Sequence, residues 1–582
     1  MRREQIMTNK YTKPKEKIIL REYDEKLVSK VESALNVSTM FAQILVGRGL
    51  ADFEQSKDFF NPALENLHDP FLFEQMNAAI QRIIMAKETN EKVVIYGDYD
   101  VDGITATTLI LRVLQKMGIK TDYYLPDRLT EGYGMSKNSI ETIIKSGAKL
   151  IISVDCGITS VDECEYAKRR GVDMIITDHH EPKDELPDAV AIINPKSTGE
   201  KYPDKNLAGV GVALKLAHAL CITLKTDEFW KDELDLAAFG TAADIVPLVG
   251  ENRIIATFGY KKMREKPNLG LNALMTAQKM TGRSNITTND VVFKLSPSVN
   301  AAGRLGDPQI GAKLFLSQSQ SECEKYVEML VKNNNERREI EDGVCKDAFS
   351  VVEESIDFER EFAVVVAKKG WHSGILGIVA ARLVERFCRP AILFNIDENG
   401  IAHGSARTFG NCDILAALTE CSDILLEFGG HKAAAGATLN EKNLDAFRKR
   451  FNDGIQKQVK NINELVPIVY ADAEISVAQL TPKFFTNLKR IEPFGPQNMR
   501  PTLVARNLNH KFPPKAIGKN SEHLKLYISG NGFSIDAVGF GFGNRIDEIK
   551  NAKNFTLCFV LGENTYMGKS ELQMEIRGIE CY

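Results

Sequence analysis

Ten cysteines are spread through 582 residues without one CxxC pair. That spacing excludes a zinc ribbon and offers no disulfide framework, so reduced thiols, as in a cytosol, are the expected state. No apolar run reaches the roughly 18 to 20 residues that crossing a bilayer requires, and no membrane-spanning segment is expected. The opening, MRREQIMTNKYTKPKEK, is basic but has neither an apolar h-region nor a small-residue cleavage site. It does not read as a secretory signal, and a cytoplasmic protein is expected. Net charge is small, −4, and alone favours no class of partner. Internal repeats and low-complexity tracts are absent. What remains is ordinary: 43% hydrophobic, 26% charged, 42 Gly and 20 Pro. This mix excludes collagen-like, disordered and disulfide-scaffold chains, and the length calls for two to four domains.

Residues 1–90 read as a mostly helical lead-in, with Phe59, Phe60, Pro62, Leu67, Phe71 and Phe73 as packing anchors. From 91 the pattern changes. KVVIYGD (92–98), KLIISVDCG (149–157), VDMIITD (172–178) and AVAIINP (189–195) are short apolar runs. Helical stretches near 104–118, 137–146 and 160–170 alternate with them. Strands and helices at this spacing predict right-handed βαβ units and a parallel sheet covered on both faces. Further helices are predicted near 209–225 and 233–243, then one long helix over 320–356. Its middle, NNNERREIED, is polar all round, which predicts a solvated bridge between domains. A second α/β unit starts at EFAVVVAKK, and the last 120 residues alternate like a small antiparallel barrel. The expected layout is a lead-in (1–90), a parallel-sheet α/β domain (91–318), a connecting helix (319–358), a second α/β domain (359–462) and an OB-type barrel (463–582).

The acids stand where chemistry would need them. Asp98, Asp100 and Asp102 follow the first strand, Asp155 follows the second long run, and Asp178, His179 and His180 end the third. All three clusters leave the carboxyl edge of one predicted sheet, where open α/β folds bind ligands. Asp244, in FGTAADIVP, follows a helix and is placed to fold over that edge. One such Asp is most often a helix or turn cap; three loaded strand ends are not. Carboxylates this close raise one another's pKa or require a cation. An oxygen-rich set with one or two imidazoles suits Mn²⁺ or Mg²⁺, and two such ions form a clamp for attack on a phosphodiester.

GDYDVDG, SVDCG, TDHH and AADIVP, in this order, resemble the four motifs of the DHH phosphoesterase superfamily. Tyr96 stands where that superfamily commonly has His, and Asp98 lies two residues before the DxD pair. That version is similar to the RecJ branch of single-strand-specific 5′→3′ exonucleases, and the resemblance covers about residues 40 to 580. It implies that Asp98, Asp100 and Asp155 hold one metal and that Asp102, Asp155, His179 and Asp244 hold the second. It implies His180 as a proton shuttle or a support near the scissile phosphate. It also puts Arg304, in what reads as a small-residue loop with Asn300, on that phosphate.

In the second α/β domain, HGSARTFG and FGGHKAAAGA resemble the DHHA1 substrate-binding domain. Gly429 and Gly430 allow close backbone approach to an anion, and the Ala-rich run after Lys432 is expected to open a helix whose N-terminus attracts phosphate. With His431 nearby, Ser405, Arg407 and Arg128 are implied to hold the 5′-terminal phosphate, and Trp371 and His372 either line the same cleft or pack at a domain seam. Single-strand selectivity is implied to come from a narrow cleft between the α/β domains. Residues 483–525 hold nine Lys/Arg against two Glu, interleaved with Phe484, Phe485, Phe494, Phe512 and Tyr527. This stretch is either a solvated face or a base-stacking, phosphate-tracking groove. Removing everything from about 464 onward is expected to leave a folded but poorly binding protein. The implied substrate is single-stranded DNA with a 5′ end, with a single-strand-binding protein and a RecQ-type helicase as partners; a monomer is expected. The alternatives are an oligoribonuclease or cyclic-dinucleotide phosphodiesterase of the same superfamily, and a catalytically inactive nucleic-acid-binding relative.

Overall fold

The computed structural model describes residues 11–582 except 129, 130, 133, 531, 532, 567 and 568. The chain forms two compact units. One holds Leu50–Asn335 and Lys489–Arg500; the other holds the residues up to Gly49, Glu336–Leu488 and Pro501–Tyr582.

The first unit is built on five parallel strands: β1 (Lys92–Gly97), β2 (Thr121–Tyr124), β3 (Ala148–Val154), β4 (Asp173–Thr177) and β5 (Ala191–Ile193). Their order across the sheet is β2-β1-β3-β4-β5. The strands are apolar at nearly every position because both faces are covered. Val93, Ile95, Leu150 and Ile152 face the helix α1 (Val101–Lys116) and its neighbours α2 (Gly209–Leu224) and α3 (Leu234–Ala243). Val94, Tyr96 and Ile151 face a smaller cluster with Ile140, Ile143 and Cys164. Each fully buried aliphatic side chain contributes about 1.5–3 kcal/mol. α1 is buried almost all round, and Thr105 and Thr108 satisfy their hydroxyls on carbonyls four residues back, both at 2.8 Å. The helices α4 (Gly250–Glu265) and α5 (Ser296–Leu305) complete the part of this unit that matters below. Pro297 stands in the first turn of α5, and Arg304 is in its last turn. Arg304 therefore lies on a helix, not in the small-residue loop expected of SPSVNAAGRLG.

A single helix, α6 (Gln320–Ser355), follows as expected, but its middle is not solvated all round. Asn334, Arg337 and Glu341 are 3%, 9% and 6% exposed, because positions 330, 334, 337, 341, 344 and 348 share one face. Arg337 pairs with Glu341 one turn on, and Arg382 Nε donates to the same carboxylate at 3.4 Å. The stripe continues as ion pairs where the apolar side chains stop.

In the second unit, β6 (Val364–Lys369), β7 (Ala391–Ile396), β8 (Ile401–Arg407), β9 (Glu427–Gly430) and β10 (Ala434–Asn440) form a mixed sheet ordered β9-β10-β8-β7-β6. The helix α7 (Leu376–Phe387) packs on it. The Ala-rich run is thus strand β10, not a helix. Ala435, Ala437 and Leu439 are buried while Gly436 is exposed, so period-two burial overrides alanine's helix propensity. The lead-in also holds a strand that its four residues were too few to reveal: Lys17–Leu20 pairs in parallel with Ile468–Ala471.

The last sheet has seven strands. Ala473–Glu474 is followed across it by β11 (Thr502–His510), β15 (Phe555–Tyr566), β16 (Lys569–Cys581), β14 (Phe533–Gly539), β13 (His523–Gly530) and β12 (Lys515–Ile517). It is antiparallel-rich, with two parallel pairs, and β11 also pairs with β13 over two residues.

Candidate metal centre

The strand order reverses between β1 and β3, and this is the switch point at which ligands bind beyond the carboxyl ends of the strands. Asp98 follows β1 and Asp155 follows β3, so both acids stand at that crevice. Asp100 caps α1, accepting from Gly103 N at 3.1 Å. Gly103 has to be glycine, since a Cβ there would lie 2.5 Å from Asp98 O. Asp102, in the first turn, is 1% exposed and accepts from the Gly209 and Val210 amides at the start of α2, at 2.8 and 2.9 Å. A Cβ on Gly209 would stand 2.4 Å from Asp155 Oδ1, so this second glycine keeps room beside the carboxylate.

Asp155 sits at φ +60°, a left-handed conformation that a non-glycine residue holds only when its surroundings impose it. Its Oδ1 is 3.1 Å from His179 Nε2, and neither atom has a hydrogen-bond partner among the described residues. Asp244, the residue that ends α3, brings Oδ2 to 3.5 Å from the same nitrogen, and Asp102 Oδ2 lies at 4.0 Å. Three groups of ligand atoms lie within 4.8 Å of one another: Asp98, Asp100 and Asp155; Asp102, His179 and Asp244; and Asp155, His179 and His180. The first two carry six of the residues that the motifs implied. The third adds His180, which the motifs placed only near the substrate.

Asp178 does something else. Its carboxylate accepts from the amides of Ile158, His179 and His180 and from His180 Nδ1 at 2.7 Å. It orients His180, a carboxylate–imidazole pair of the kind that supports metal sites. Asn300 Oδ1 accepts from Val101 N at 3.1 Å and so braces the loop between Asp98 and Asp102. Arg128 lies over the Tyr99 ring at 5.2 Å. The charges of Arg128 and Arg304 act on Asp98 and Asp100 respectively.

Without cations the cluster is electrostatically overloaded. Burial, and then the charge of Asp100, pushes Asp98 up to about 8 and Asp102 up to about 7. Burial, and then the surrounding carboxylates, drives Asp155 and Asp244 up as well. Burial and the neighbouring His180 hold His179 down at about 3, so it is a neutral imidazole ready to ligate. Burial opposes the His180 cation, but the Asp178 hydrogen bond and charge outweigh it and raise its pKa. Two orphaned, buried acceptor atoms inside such a cluster fit hard divalent cations such as Mn²⁺ or Mg²⁺.

The sign of the pH effect follows. Asp98 and Asp102 titrate near 3.8 when unfolded and at about 8 and about 7 when folded. Between those limits the folded state binds more protons, so stability falls as pH rises. In chelator, the melting temperature should drop between about pH 5 and about pH 8, and Mn²⁺ should restore it at the upper end. A chelated protein that melts no lower at the upper pH would contradict the cluster electrostatics.

The remaining residues implied to bind substrate lie in the second unit. Ser405 and Arg407 are on β8, where Arg407 Nη1 donates to Ala406 O at 2.7 Å and to Ser405 Oγ at 3.4 Å. The helix N-terminus beside them belongs to α7: a Cβ on Gly377 would stand 2.7 Å from Arg407 Nη2 and 3.0 Å from Ser405 Oγ. Gly429 and Gly430 end β9, and His431 is exposed at the turn into β10. Gly429, Gly436 and Ser405 are in register across three strands, which keeps the surface around Ser405 free of bulk. Trp371 packs in the core and donates from Nε1 to Asp347 at 2.8 Å, and His372 caps the turn before α7. The basic stretch 483–525 is divided, since 489–500 belongs to the first unit. Arg506, Lys511, Lys515, Lys519 and Lys525 stay with the unit of the last sheet, where Lys511 lies over Phe512 and Lys525 over Tyr527, the two rings meeting edge-on at 5.6 Å. Phe484 is buried and is a packing residue.

The signature of the DHH family, N-terminal domain, matches residues 92–241, and this fold with this acidic switch point is a DHH domain. The DHHA1 domain matches 360–457 and the RecJ OB domain 471–578. The single-stranded-DNA-specific exonuclease RecJ of Bacillus subtilis is 38% identical over 558 residues, 95% of this chain and 69% of that protein. RecJ of Haemophilus influenzae is 31% identical over 89% of this chain and 92% of its own length. Thermus thermophilus RecJ, solved in complex with Mn²⁺, superposes with a TM-score of 0.82 at 25% identity, covering 97% of this chain and 79% of that one. The chain belongs to the RecJ family.

Proposed function

We propose that this protein is a metal-dependent 5′→3′ exonuclease that takes single-stranded DNA apart from its 5′ end into 5′-mononucleotides, in DNA recombination and repair. The observation that carries the reading is the pair of ligand sets at the switch point, meeting at Asp155 Oδ1 and His179 Nε2. Asp98, Asp100 and Asp155 hold one cation; Asp102, Asp155, His179 and Asp244 hold the other. Two Mn²⁺ or Mg²⁺ ions held by these residues would supply Lewis-acid chemistry, lowering the pKa of a water and neutralising charge that builds up on a phosphodiester.

The chain supplies the rest. Asp178 fixes His180 Nδ1, which turns the other ring nitrogen toward the scissile phosphate to carry a proton to the leaving 3′ oxygen. Arg304 grips the scissile phosphate as a planar fork that holds two oxygens. Asn300 keeps the acid-bearing loop in place and lies where it can also reach substrate. Ser405, Arg407 and the amide end of α7 receive the terminal phosphate, with Gly429, Gly430 and His431 beside them. The Lys511–Phe512–Lys525–Tyr527 face binds the strand further along. The setting is the cytoplasm, with a single-strand-binding protein and a RecQ-type helicase as partners.

Incubating the protein in Mn²⁺ with 5′-labelled and 3′-labelled strands of DNA and RNA tests this. The 5′ label of DNA should leave first, as a mononucleotide; first release of the 3′ label, or a preference for short RNA, would refute the reading. Arg407→Ala should remove most of the preference for a 5′-phosphorylated end while slowing cleavage of a 5′-hydroxyl strand little. A charge-assisted contact to the dianion is worth about 1.5–3 kcal/mol, roughly 10- to 100-fold. Equal losses on both substrates would place Arg407 elsewhere.

A further inference from the structure

Residues 489–500 lie within the RecJ OB match, and both of their chain neighbours belong to the second unit, yet they pack in the first. Their anchor is Arg253 of α4, which is 3% exposed. Its guanidinium donates to the carbonyls of Ile491 (3.0 Å), Glu492 (2.7 Å), Pro493 (3.3 Å) and Phe59 (3.3 Å), and lies 3.9 Å over the Phe59 ring. Burial lowers its pKa to about 10, so it is still a cation at neutral pH. A buried guanidinium satisfied by carbonyls is costly to keep as simple packing. Asn498, fully buried, ties the same loop from inside, donating to Ile491 O and Pro493 O at 2.8 and 2.9 Å.

The loop so held reaches one further group. Pro496 O accepts from Leu248 N at 2.8 Å, and a Cβ on Gly495 would lie 2.9 Å from the Leu248 side chain. Leu248 is four residues beyond Asp244, and between them Ile245 holds φ +61°, a rare conformation for a β-branched residue. Such a residue stays there only if its neighbours over-determine it. The stretch that follows Ile245 is tied down by two hydrogen bonds, Asn252 Nδ2 to Pro247 O at 3.0 Å and Leu248 N to Pro496 O at 2.8 Å.

We propose that residues 489–500 act as a splint that sets the loop 244–249, and hence Asp244, at the metal centre, with Arg253 as the positioning residue that holds the splint. The inference rests on the reading of Asp244 as a metal ligand. Two variants of the full chain test it. Gly495→Ala pushes Leu248 without removing a hydrogen bond, and Arg253→Lys keeps the charge but loses the fork. Calorimetric titration with Mn²⁺ should show one of two sites losing about tenfold in affinity, as supports of metal ligands typically cost, with the other nearly unchanged. Hydrogen exchange of 244–250 should quicken in chelated protein. In chelated wild type the Leu248 amide and those of 491–498 should exchange as one unit. Unchanged titration and exchange in Gly495→Ala, or independent exchange of the two segments in wild type, would overturn the splint. A wild type that binds fewer than two Mn²⁺ would instead count against the metal assignment, and the exchange data would still judge the splint.

Discussion

Asp155→Ala should lower turnover of single-stranded DNA by at least about 10²-fold, the usual cost of removing a central catalytic group, and leave the protein folded. Asp155 is common to two of the three ligand groups, and its Oδ1 is buried without a hydrogen-bond partner among the described residues. Without it, two cations held by the remaining acids would face each other with less negative charge between them. Stability should respond in the opposite direction. Burial and its neighbours make the Asp155 carboxylate costly in metal-free protein, so deleting it relieves repulsion. An Ala at φ +60° bears the left-handed penalty, about 1–2 kcal/mol, without the local side-chain hydrogen bonding that eases it for Asp, and this takes back only part of that relief. Chelated Asp155→Ala should therefore melt no lower than chelated wild type, while the stabilisation by added Mn²⁺ shrinks. Activity above about 1% of wild type, a loss smaller than about a hundredfold, would remove Asp155 from the bridging role.

The metal edge was legible in the sequence because strand-ending acids advertise themselves. Apolar runs fix where strands stop, and an Asp just past the stop can only lie at the carboxyl edge. Asp244 follows a helix instead of a strand, and only its motif, AADIVP, pointed to that edge. What was not legible depends on partners remote in sequence. Asp178 looks like a third strand-end ligand, but its oxygens are taken by Ile158, His179 and His180. Asn300 looks like a substrate residue, and only the fold shows that it braces Val101. Small residues misled twice. SPSVNAAGRLG has the composition of a loop, yet Pro297 at its start opens a helix; AAAGATLN has helical alanines, but its alternation fits a strand between β8 and β9. The alternation of AAAGATLN could have been read, since residues 435, 437 and 439 are the apolar positions. The buried Asn334–Arg337–Glu341 stripe could not, because polar residues carry no burial signal.

Ending the chain at residue 463 should destabilise the catalytic unit as well as remove a binding surface. The sequence alone predicts that the chemistry survives, since every implied ligand lies earlier. The structure gives the opposite sign, because residues 489–500 leave with the truncation. Arg253 would keep Phe59 O but lose the carbonyls of Ile491, Glu492 and Pro493. An unsatisfied buried donor costs about 1–3 kcal/mol, and more when charged. The fully buried Ile491 side chain would leave a void, at about 2–5 kcal/mol for a truncation of this kind. Together these approach the 5–15 kcal/mol by which a domain is stable. A chain of residues 1–500 separates the two effects. It keeps the segment and drops Lys511, Phe512, Lys515, Lys525 and Tyr527. It should melt near the intact protein and bind Mn²⁺ normally, yet bind long single strands more weakly, with the salt slope flattened by about 0.7 for each phosphate no longer neutralised. The 1–463 chain should melt far lower and bind Mn²⁺ poorly. If both chains melt alike and differ from the intact protein only in DNA affinity, the segment contributes nothing to the catalytic unit, and Arg253 is an isolated buried charge that the fold tolerates without it.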